Sequence, residues 1–79
     1  MKSILIVDDS HTVRQLIQGC LSRTNFTVVE AEDGVQALAL AQQTNFDLVI
    51  TDIYMPNMPG TELLAELRKM EQYHSVPIY

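Results

Sequence analysis

Residues 46–56, with the sequence FDLVITDIYMP, constrain the fold of this chain more than any other stretch. The run LVI at 48–50 is apolar and β-rich without polar alternation, which is typical of a strand covered on both faces of a parallel sheet. It leads to a single carboxylate, Asp52, and Pro56 then breaks further regular pairing. Sites in open α/β sheets collect at the carboxyl ends of such strands, but Asp is also common as a cap of the following turn. This stretch alone favours neither interpretation of Asp52.

Composition and charge limit the classes of function. The chain has 79 residues, 47% of them hydrophobic, and a formal net charge of −5, which indicates a small globular domain rather than a disordered segment. It lacks the basic surface that duplex nucleic acid requires, so direct nucleic-acid binding is disfavoured. The apolar run at 4–7 is too short for a signal peptide or a membrane span, so we expect a cytoplasmic protein without a membrane partner. The single cysteine, Cys20, is expected in the core.

The first part of the chain predicts one strand and one amphipathic helix. The strand covers Ser3–Val7 and stops at two acidic residues, Asp8 and Asp9. Ser10 is suited to cap the helix, and Asn25 is suited to end it in the left-handed conformation. The helix is expected to pack on the sheet through Val13, Leu16, Ile17, Cys20 and Leu21, with Arg14, Gln15, Gln18 and Ser22 on the solvent side.

The same alternation continues to the end of the sequence. A second strand is predicted over Phe26–Ala31, and Asp33 can start a second helix over residues 35–43. After the strand at 48–50, a third helix is predicted over residues 61–72 and the start of a fourth strand over 75–79. The covered side of the second helix is expected to include Val35, Leu38 and Ala41, together with Ala37, Ala39 and Leu40.

This element order predicts a parallel sheet with right-handed crossovers. If the second and third strands lie on opposite sides of the first, the strand order is 2-1-3-4, with one helix on one face and two on the other. Asp8, Asp9 and Asp52 then meet at the carboxyl ends of neighbouring strands, where the winding reverses. Three carboxylates resist ionisation together unless a cation or strong donor neutralises them, and oxygen-only ligands suit Mg²⁺ better than zinc.

Four motifs at these mutual spacings resemble the receiver domain of two-component response regulators, above all the chemotaxis type. They are ILIVDDS at 4–10, EAEDG at 30–34, DLVITDIYMP at 47–56 and MPG at 58–60, and the resemblance extends over the whole chain. It implies a flavodoxin-like, doubly wound α/β fold with the strand order 2-1-3-4. The motifs thus give the same fold class as the element order.

The resemblance also implies a site and its partners. Asp52 would be the phosphoacceptor in phosphorelay signalling, and Asp9 and Asp52 would ligate Mg²⁺, with Asp8 acting mainly through water. The backbone carbonyl of Tyr54 would complete the protein ligands, while its side chain is not implicated. The phosphoryl group would come from a sensor histidine kinase or a phosphotransfer protein. The chemistry agrees, because a carboxylate that attacks phosphorus forms an acyl phosphate and a metal neutralises the developing charge.

The sequence also departs from the receiver pattern. Receivers continue with a Ser or Thr after the fourth strand, an aromatic residue and a Lys on the fifth strand, and a last helix, none of which follows here. We therefore interpret residues 1–79 as a partial receiver domain, a truncated (βα)3β unit, and expect neither efficient self-phosphorylation nor a conventional enzyme. One alternative is an inert, assembly-only fragment. Another, an aspartyl-nucleophile phosphohydrolase, is disfavoured because residues 8–10 read DDS rather than Asp-x-Asp.

The predicted fourth strand suggests self-association. Val76, Ile78 and Tyr79 are apolar and would present an unpaired sheet edge, which Pro77 protects only at one position. We expect a homo-oligomer, most simply a two-fold dimer in which the fourth-strand regions or the uncovered sheet faces pack together.

The histidines and methionines of this sequence do not indicate a metal site or a binding surface. His11 and His74 lack further His or Cys at ligand spacing and are expected to be solvated. Packing roles are expected for Met55, Met58 and Met70.

Overall fold

The computed structural model describes residues 2–55 and 57–79, so the predicted role of Pro56 as a breaker lies outside the described residues. The predicted alternation of strands and helices is confirmed. A short 3-10 helix, Glu71–Tyr73, follows the last α-helix. The strands are β1 Ser3–Val7, β2 Thr27–Ala31 and β3 Leu48–Thr51, and the helices are α1 His11–Leu21, α2 Gly34–Gln43 and α3 Gly60–Arg68.

The three strands form a parallel sheet in the order β2-β1-β3, as predicted. Val7 lies opposite Ala31 on one side and Thr51 on the other, so the three strands end at the same edge. This is the flavodoxin-like topology, in which β2 and β3 lie on opposite sides of β1 and the winding of the chain reverses at β1.

The fourth strand is shorter than predicted. Instead of a strand over 75–79, the structure has a single parallel bridge between Val49 and Ile78, which places this segment beside β3 and preserves the order 2-1-3-4. Tyr79 donates to the Val49 carbonyl at 2.9 Å and accepts from the Thr51 N–H at 2.7 Å. The carbonyl of Pro77 accepts from Val49, but proline has no N–H to donate, so the ladder does not extend backwards.

The core lies chiefly between the sheet and the pair α2 and α3. Residues 4–7 of β1 are completely buried because strands pair with β1 on both sides and helices cover both of its faces. Leu5 and Val7 point toward α2 and α3, whereas Ile4 and Ile6 alternate to the face of α1. The larger face is filled by Leu5, Val7, Ala31, Ala37, Ala41, Phe46, Val49, Met55, Leu63, Leu67 and Tyr73.

The predicted burial of α1 is wrong for several residues. None of its residues is fully buried, Leu16 is 66% exposed, and Cys20 is exposed rather than part of the core. The helix contacts chiefly β1, whereas α2 and α3 pack on each other as well as on the sheet. The apolar stripe of α1 is therefore wider than the area that the helix buries against the sheet. The predicted N-cap is confirmed, because the Ser10 hydroxyl accepts from the Val13 N–H at 3.3 Å.

The other helices also differ from their predictions in detail. In α2 the buried residues are Gly34, Ala37 and Ala41, while Val35 is 54% exposed. Helix α3 ends at Arg68 instead of residue 72, because the chain turns there into the 3-10 helix. Tyr73, which the sequence did not single out, is completely buried.

The left-handed residue is not the one that was predicted. Asn25 does not have a positive φ; within residues 2–55 and 57–79 the only non-glycine residue that does is Asn57, at 70°. Asn is among the residues that tolerate this conformation best. It lies in the loop between β3 and α3, so the strained position falls beside the proposed site rather than at the end of α1.

Other side-chain predictions agree with the structure. His11 and His74 are exposed. Met55 is buried, and Met58 and Met70 pack against the core, as expected for packing residues. No helix in the described part of the chain is both long and apolar enough to cross a bilayer.

Candidate functional site

The backbone brings the predicted site residues to one edge of the sheet. Asp8 follows β1 and donates its N–H to the Ala31 carbonyl at 3.1 Å, while Asp52 follows β3 and donates to the Val7 carbonyl at 3.0 Å. The parallel ladders thus continue for one residue beyond the strand ends. Both residues are held on rigid sheet backbone rather than on free loops.

The three predicted carboxylates meet there. Asp8, Asp9 and Asp52 each place one carboxylate oxygen within 4.8 Å of the others. Asp8 is only 9% exposed, Asp52 is half-buried and Asp9 faces solvent. The cluster is therefore buried at Asp8 and open to solvent at Asp9. Its side-chain ligand atoms are all oxygens, which suit a hard divalent cation such as Mg²⁺.

Local backbone donors orient two of these side chains. Ser10 donates its N–H to Asp8 Oδ1 at 2.9 Å, and Ile53 donates its N–H to Asp52 Oδ1 at 2.7 Å. Each carboxylate thus has one oxygen engaged by the main chain and retains the second for another partner. The side chain of Tyr54 is 84% exposed and takes no part in the cluster. Its carbonyl remains a predicted ligand.

Gly60 is a site residue that the sequence analysis missed. A Cβ atom at this position would lie 2.0 Å from the Asp52 carbonyl oxygen and 2.9 Å from its carbonyl carbon. The Gly60 N–H donates to the Ile53 carbonyl at 2.8 Å, which fixes the start of α3 directly against the end of β3. Glycine is required here for close approach and not for a positive φ. The sequence signal was the MPG motif at 58–60, which contributed to the family resemblance but was not given a role at the site.

A second contact holds the loop between β3 and α3 onto the start of α2. Asn57 Nδ2 donates to Asp33 Oδ2 at 3.0 Å, and Asp33 Oδ1 accepts from the Gln36 N–H at 2.8 Å as the cap of α2. These bonds to the Gln36 backbone and the Asn57 side chain lower the pKa of Asp33 below its usual value. Beside them, a Cβ at Gly34 would come within 2.7 Å of Met58. These contacts lie outside the carboxylate cluster and hold the loop that follows Asp52 against the start of α2.

Arg14 lies behind the cluster, although the sequence analysis placed it on the solvent side of α1. Its side chain is 13% exposed, its Nε donates to Glu30 Oε1 at 3.0 Å, and its Nη1 donates to the Asp8 backbone carbonyl at 2.6 Å. The amphipathic pattern missed this position because a long side chain at the edge of the apolar stripe can bend under the helix.

Fold and site thus define the class of protein: a doubly wound α/β domain with a carboxylate cluster at the switch point of its sheet. The chain also matches the family model of the response regulator receiver domain over residues 4–79. The protein belongs to this family, the phosphoacceptor domains of two-component signalling. Receiver domains bind Mg²⁺ at an acidic pocket, and Asp8, Asp9 and Asp52 form an acidic cluster in this chain.

Individual relatives support the assignment. The chain is 49% identical over 77 residues to the sensor protein EvgS of Escherichia coli, covering 98% of this chain and 6% of EvgS. It is 42% identical over 76 residues to the chemotaxis protein CheY of Pseudomonas aeruginosa, covering 95% of this chain and 61% of CheY. The solved chemotaxis response regulator CheY4 of Vibrio cholerae superposes with a TM-score of 0.94 at 41% identity, covering 99% of this chain and 65% of CheY4.

Solved structures of the response regulator TrrA show what one relative binds. TrrA of Thermotoga maritima in complex with Mg²⁺-BeF matches with a TM-score of 0.85 at 40% identity, covering 91% of this chain and 63% of TrrA. A chain of the complex of histidine kinase ThkA with TrrA matches with a TM-score of 0.88 at 38% identity, covering 99% of this chain and 66% of the matched chain. Receiver domains therefore interact with histidine kinases.

Proposed function

We propose that Asp52 is the phosphoacceptor of this receiver domain. The observation that carries the proposal is the meeting of three carboxylates within 4.8 Å at the end of β3, with Asp52 half-buried and oriented by the Ile53 N–H. One oxygen of Asp52 attacks the phosphorus of the donor, the bond from phosphorus to the donor atom breaks, and the donor leaves with that electron pair. The product is an aspartyl phosphate.

The same cluster is proposed to hold Mg²⁺. Asp9 and Asp52 would be direct ligands together with the Tyr54 carbonyl, and Asp8 would act mainly through water. When bound, the ion neutralises the charge that develops on the phosphoryl oxygens. The protein's own contribution is to hold the carboxylates in place, since Asp8 and Asp52 are anchored by the sheet and by backbone N–H groups. The exposed Asp9 lies on the open side through which a donor reaches the site.

A histidine kinase or a phosphotransfer protein is the proposed phosphoryl donor, and the cytoplasm the proposed compartment. The support is the match to TrrA, which has been solved with a histidine kinase. The net charge of −5 continues to disfavour nucleic acid as a direct partner.

A Mg²⁺ titration tests the metal site. We expect Asp9→Ala to weaken Mg²⁺ binding strongly because it removes a direct ligand. The change can be followed by amide chemical shifts at constant ionic strength. Glu71→Ala is the matched control, since Glu71 is an exposed carboxylate outside the cluster. If Asp9→Ala binds Mg²⁺ as tightly as the unmodified chain, the ligand assignment is wrong.

We also propose that two copies associate through the surface beside β3, which we call the β3 cleft. It is a depression of about 190 Å³ to which Ile53, Leu64 and Tyr79 contribute apolar side chains. Ile53 is 54% and Tyr79 is 75% exposed. Within the described residues, the segment containing Ile78 pairs with β3 on one side only, so a second copy can cover both the edge and the cleft.

A further inference from the structure

Arg14 is a charged side chain of α1 with little access to solvent and with contacts to two other elements. Its guanidinium joins the side chain of Glu30 on β2 to the main chain of Asp8 after β1. The Asp8 carbonyl is thereby engaged at 2.6 Å by a charged donor, which makes a stronger hydrogen bond than a neutral group. The arginine therefore fixes the peptide unit that connects Asp8 to Asp9.

This peptide unit determines where two of the clustered carboxylates point. The Asp8 N–H is already held by the Ala31 carbonyl, and Asp8 Oδ1 accepts from the Ser10 N–H. The contact from Arg14 supplies the remaining constraint, on the carbonyl that precedes Asp9. Without it, the Asp8–Asp9 peptide is held only by the Ser10 N–H bond that spans it, and the exposed Asp9 side chain makes no hydrogen bond within the described residues.

The ion pair with Glu30 has a different task from the contact to Asp8. Glu30 accepts from Nε and so directs the guanidinium, but Glu30 itself does not touch the cluster. Glutamine at position 30 retains an oxygen that can accept from Nε. The two contacts of Arg14 can therefore be separated experimentally.

We infer that Arg14 is a positioning residue for the metal site, acting through the Asp8 carbonyl rather than through its charge pair with Glu30. The inference rests on the proposed function, because it assigns Arg14 to the Mg²⁺ site of Asp9 and Asp52. Residues that orient metal ligands from outside typically change metal affinity by about 10- to 100-fold when they are replaced. Since Arg14 acts through the main chain, the effect is expected at about tenfold, the lower end of that range.

The experiment is a titration with Mg²⁺ alone, followed by amide chemical shifts, at a temperature where circular dichroism shows each variant to be folded. Arg14→Met removes all donors but retains an apolar stem and is expected to weaken Mg²⁺ binding about tenfold. Arg14→Lys keeps a cationic donor but loses the planar guanidinium fork whose separate nitrogens reach Glu30 and the Asp8 carbonyl, and it is expected to be intermediate. Glu30→Gln is expected to keep the affinity of the unmodified chain, although its stability falls. Arg23→Met, an exposed arginine, is the control.

The amide signal of Ser10 gives a second readout that stability alone does not move. It is expected to shift in Arg14→Met without metal, because its acceptor Asp8 is no longer held, and to stay in place in Glu30→Gln. Unchanged affinity in folded Arg14→Met overturns the inference, as does an equal loss in Glu30→Gln. If Arg14→Met does not fold, unchanged affinity in Arg14→Lys overturns it. If the unmodified chain binds no Mg²⁺, the proposed function fails first and this inference with it.

Discussion

At the scale of single residues, close packing of backbone against backbone shapes the proposed site. Gly60 allows the first turn of α3 to touch the Asp52 carbonyl, and Gly34 allows α2 to touch Met58 in the loop that follows. Neither has a positive φ, so both are glycines because of what lies beside them. The third glycine, Gly19, has no atom within 4 Å of a Cβ position and lies in α1. One chain thus contains two constrained glycines and one free glycine.

Replacing these glycines by alanine is expected to give opposite effects. Gly60→Ala should destabilise the protein by about 3 kcal/mol, the upper part of the range for overpacking, because the clash at 2.0 Å is with backbone and not with a flexible side chain. Gly19→Ala should stabilise it by about 0.5–1 kcal/mol through helix propensity. Urea unfolding measures both. Equal stability of the two variants would show that α3 does not approach Asp52 as described.

At the scale of secondary structure, the short 3-10 helix Glu71–Tyr73 is tied to distant elements by Tyr73. Its hydroxyl lies 2.9 Å from the Ala41 carbonyl and 2.5 Å from the Thr44 carbonyl, and it accepts from the Phe46 N–H at 3.2 Å. The end of α2 and the start of the β3 segment are thus joined to the chain after α3. Burial raises the pKa of Tyr73 above its ordinary value of 10.0.

Tyr73→Phe is expected to cost about 1–3 kcal/mol at neutral pH, because it leaves buried backbone groups without their partner. The raised pKa adds a pH dependence: the stabilising contribution of the neutral phenol is complete below pH 10 and is lost as the pH rises through the higher folded-state value. The difference in unfolding free energy between the two proteins should therefore shrink above pH 10. A difference that stays constant into the alkaline range would contradict the burial of the hydroxyl.

The same scale shows how far sequence reasoning reaches. β1 was predicted with its observed bounds because the apolar run at 4–7 is followed directly by acidic residues, and the N-cap of α1 because Ser10 precedes a periodic pattern. The bounds of α3 at its C-terminal end and of the fourth strand were predicted wrongly, because contacts between distant elements determine where they end. Arg68 donates to the Tyr73 and Val76 carbonyls at 2.7 and 2.8 Å, which turns the chain away from the helix axis.

The candidate site divides in a similar way. The convergence of Asp8, Asp9 and Asp52 followed from the strand ends predicted from the sequence together with the strand order that the family resemblance implied. The supporting roles of Gly60 and Arg14 depend on interatomic distances between elements that are far apart in the chain, which periodicity does not encode. Sequence reasoning therefore brought the three carboxylates together but missed the residues that hold them in place.

At the scale of the whole molecule, the β3 cleft is the surface on which we expect a second copy. Leu64→Lys places a charge inside the proposed interface and should convert a dimer into a monomer, because an unpaired charge is costly to bury. Leu16→Lys, on the exposed face of α1, is the matched control and should leave the dimer intact. Since each copy carries a net charge of −5, added salt should strengthen association.

Size exclusion with light scattering at micromolar concentrations measures these states. A compact monomer of the unmodified chain that unfolds cooperatively would show that the cleft needs no second copy. Loss of the dimer in Leu16→Lys, with Leu64→Lys unaffected, would move the interface to the face of α1.

The central claim, that Asp52 accepts a phosphoryl group with the help of Mg²⁺, is tested most directly by locating the label. The chain is incubated with a small phosphoryl donor with and without Mg²⁺, the acyl phosphate is trapped by borohydride reduction, and the modified residue is identified by peptide mass spectrometry. We expect Mg²⁺-dependent modification at Asp52 and none in Asp52→Asn. Modification at another residue, modification that survives Asp52→Asn, or none under any condition would contradict the account.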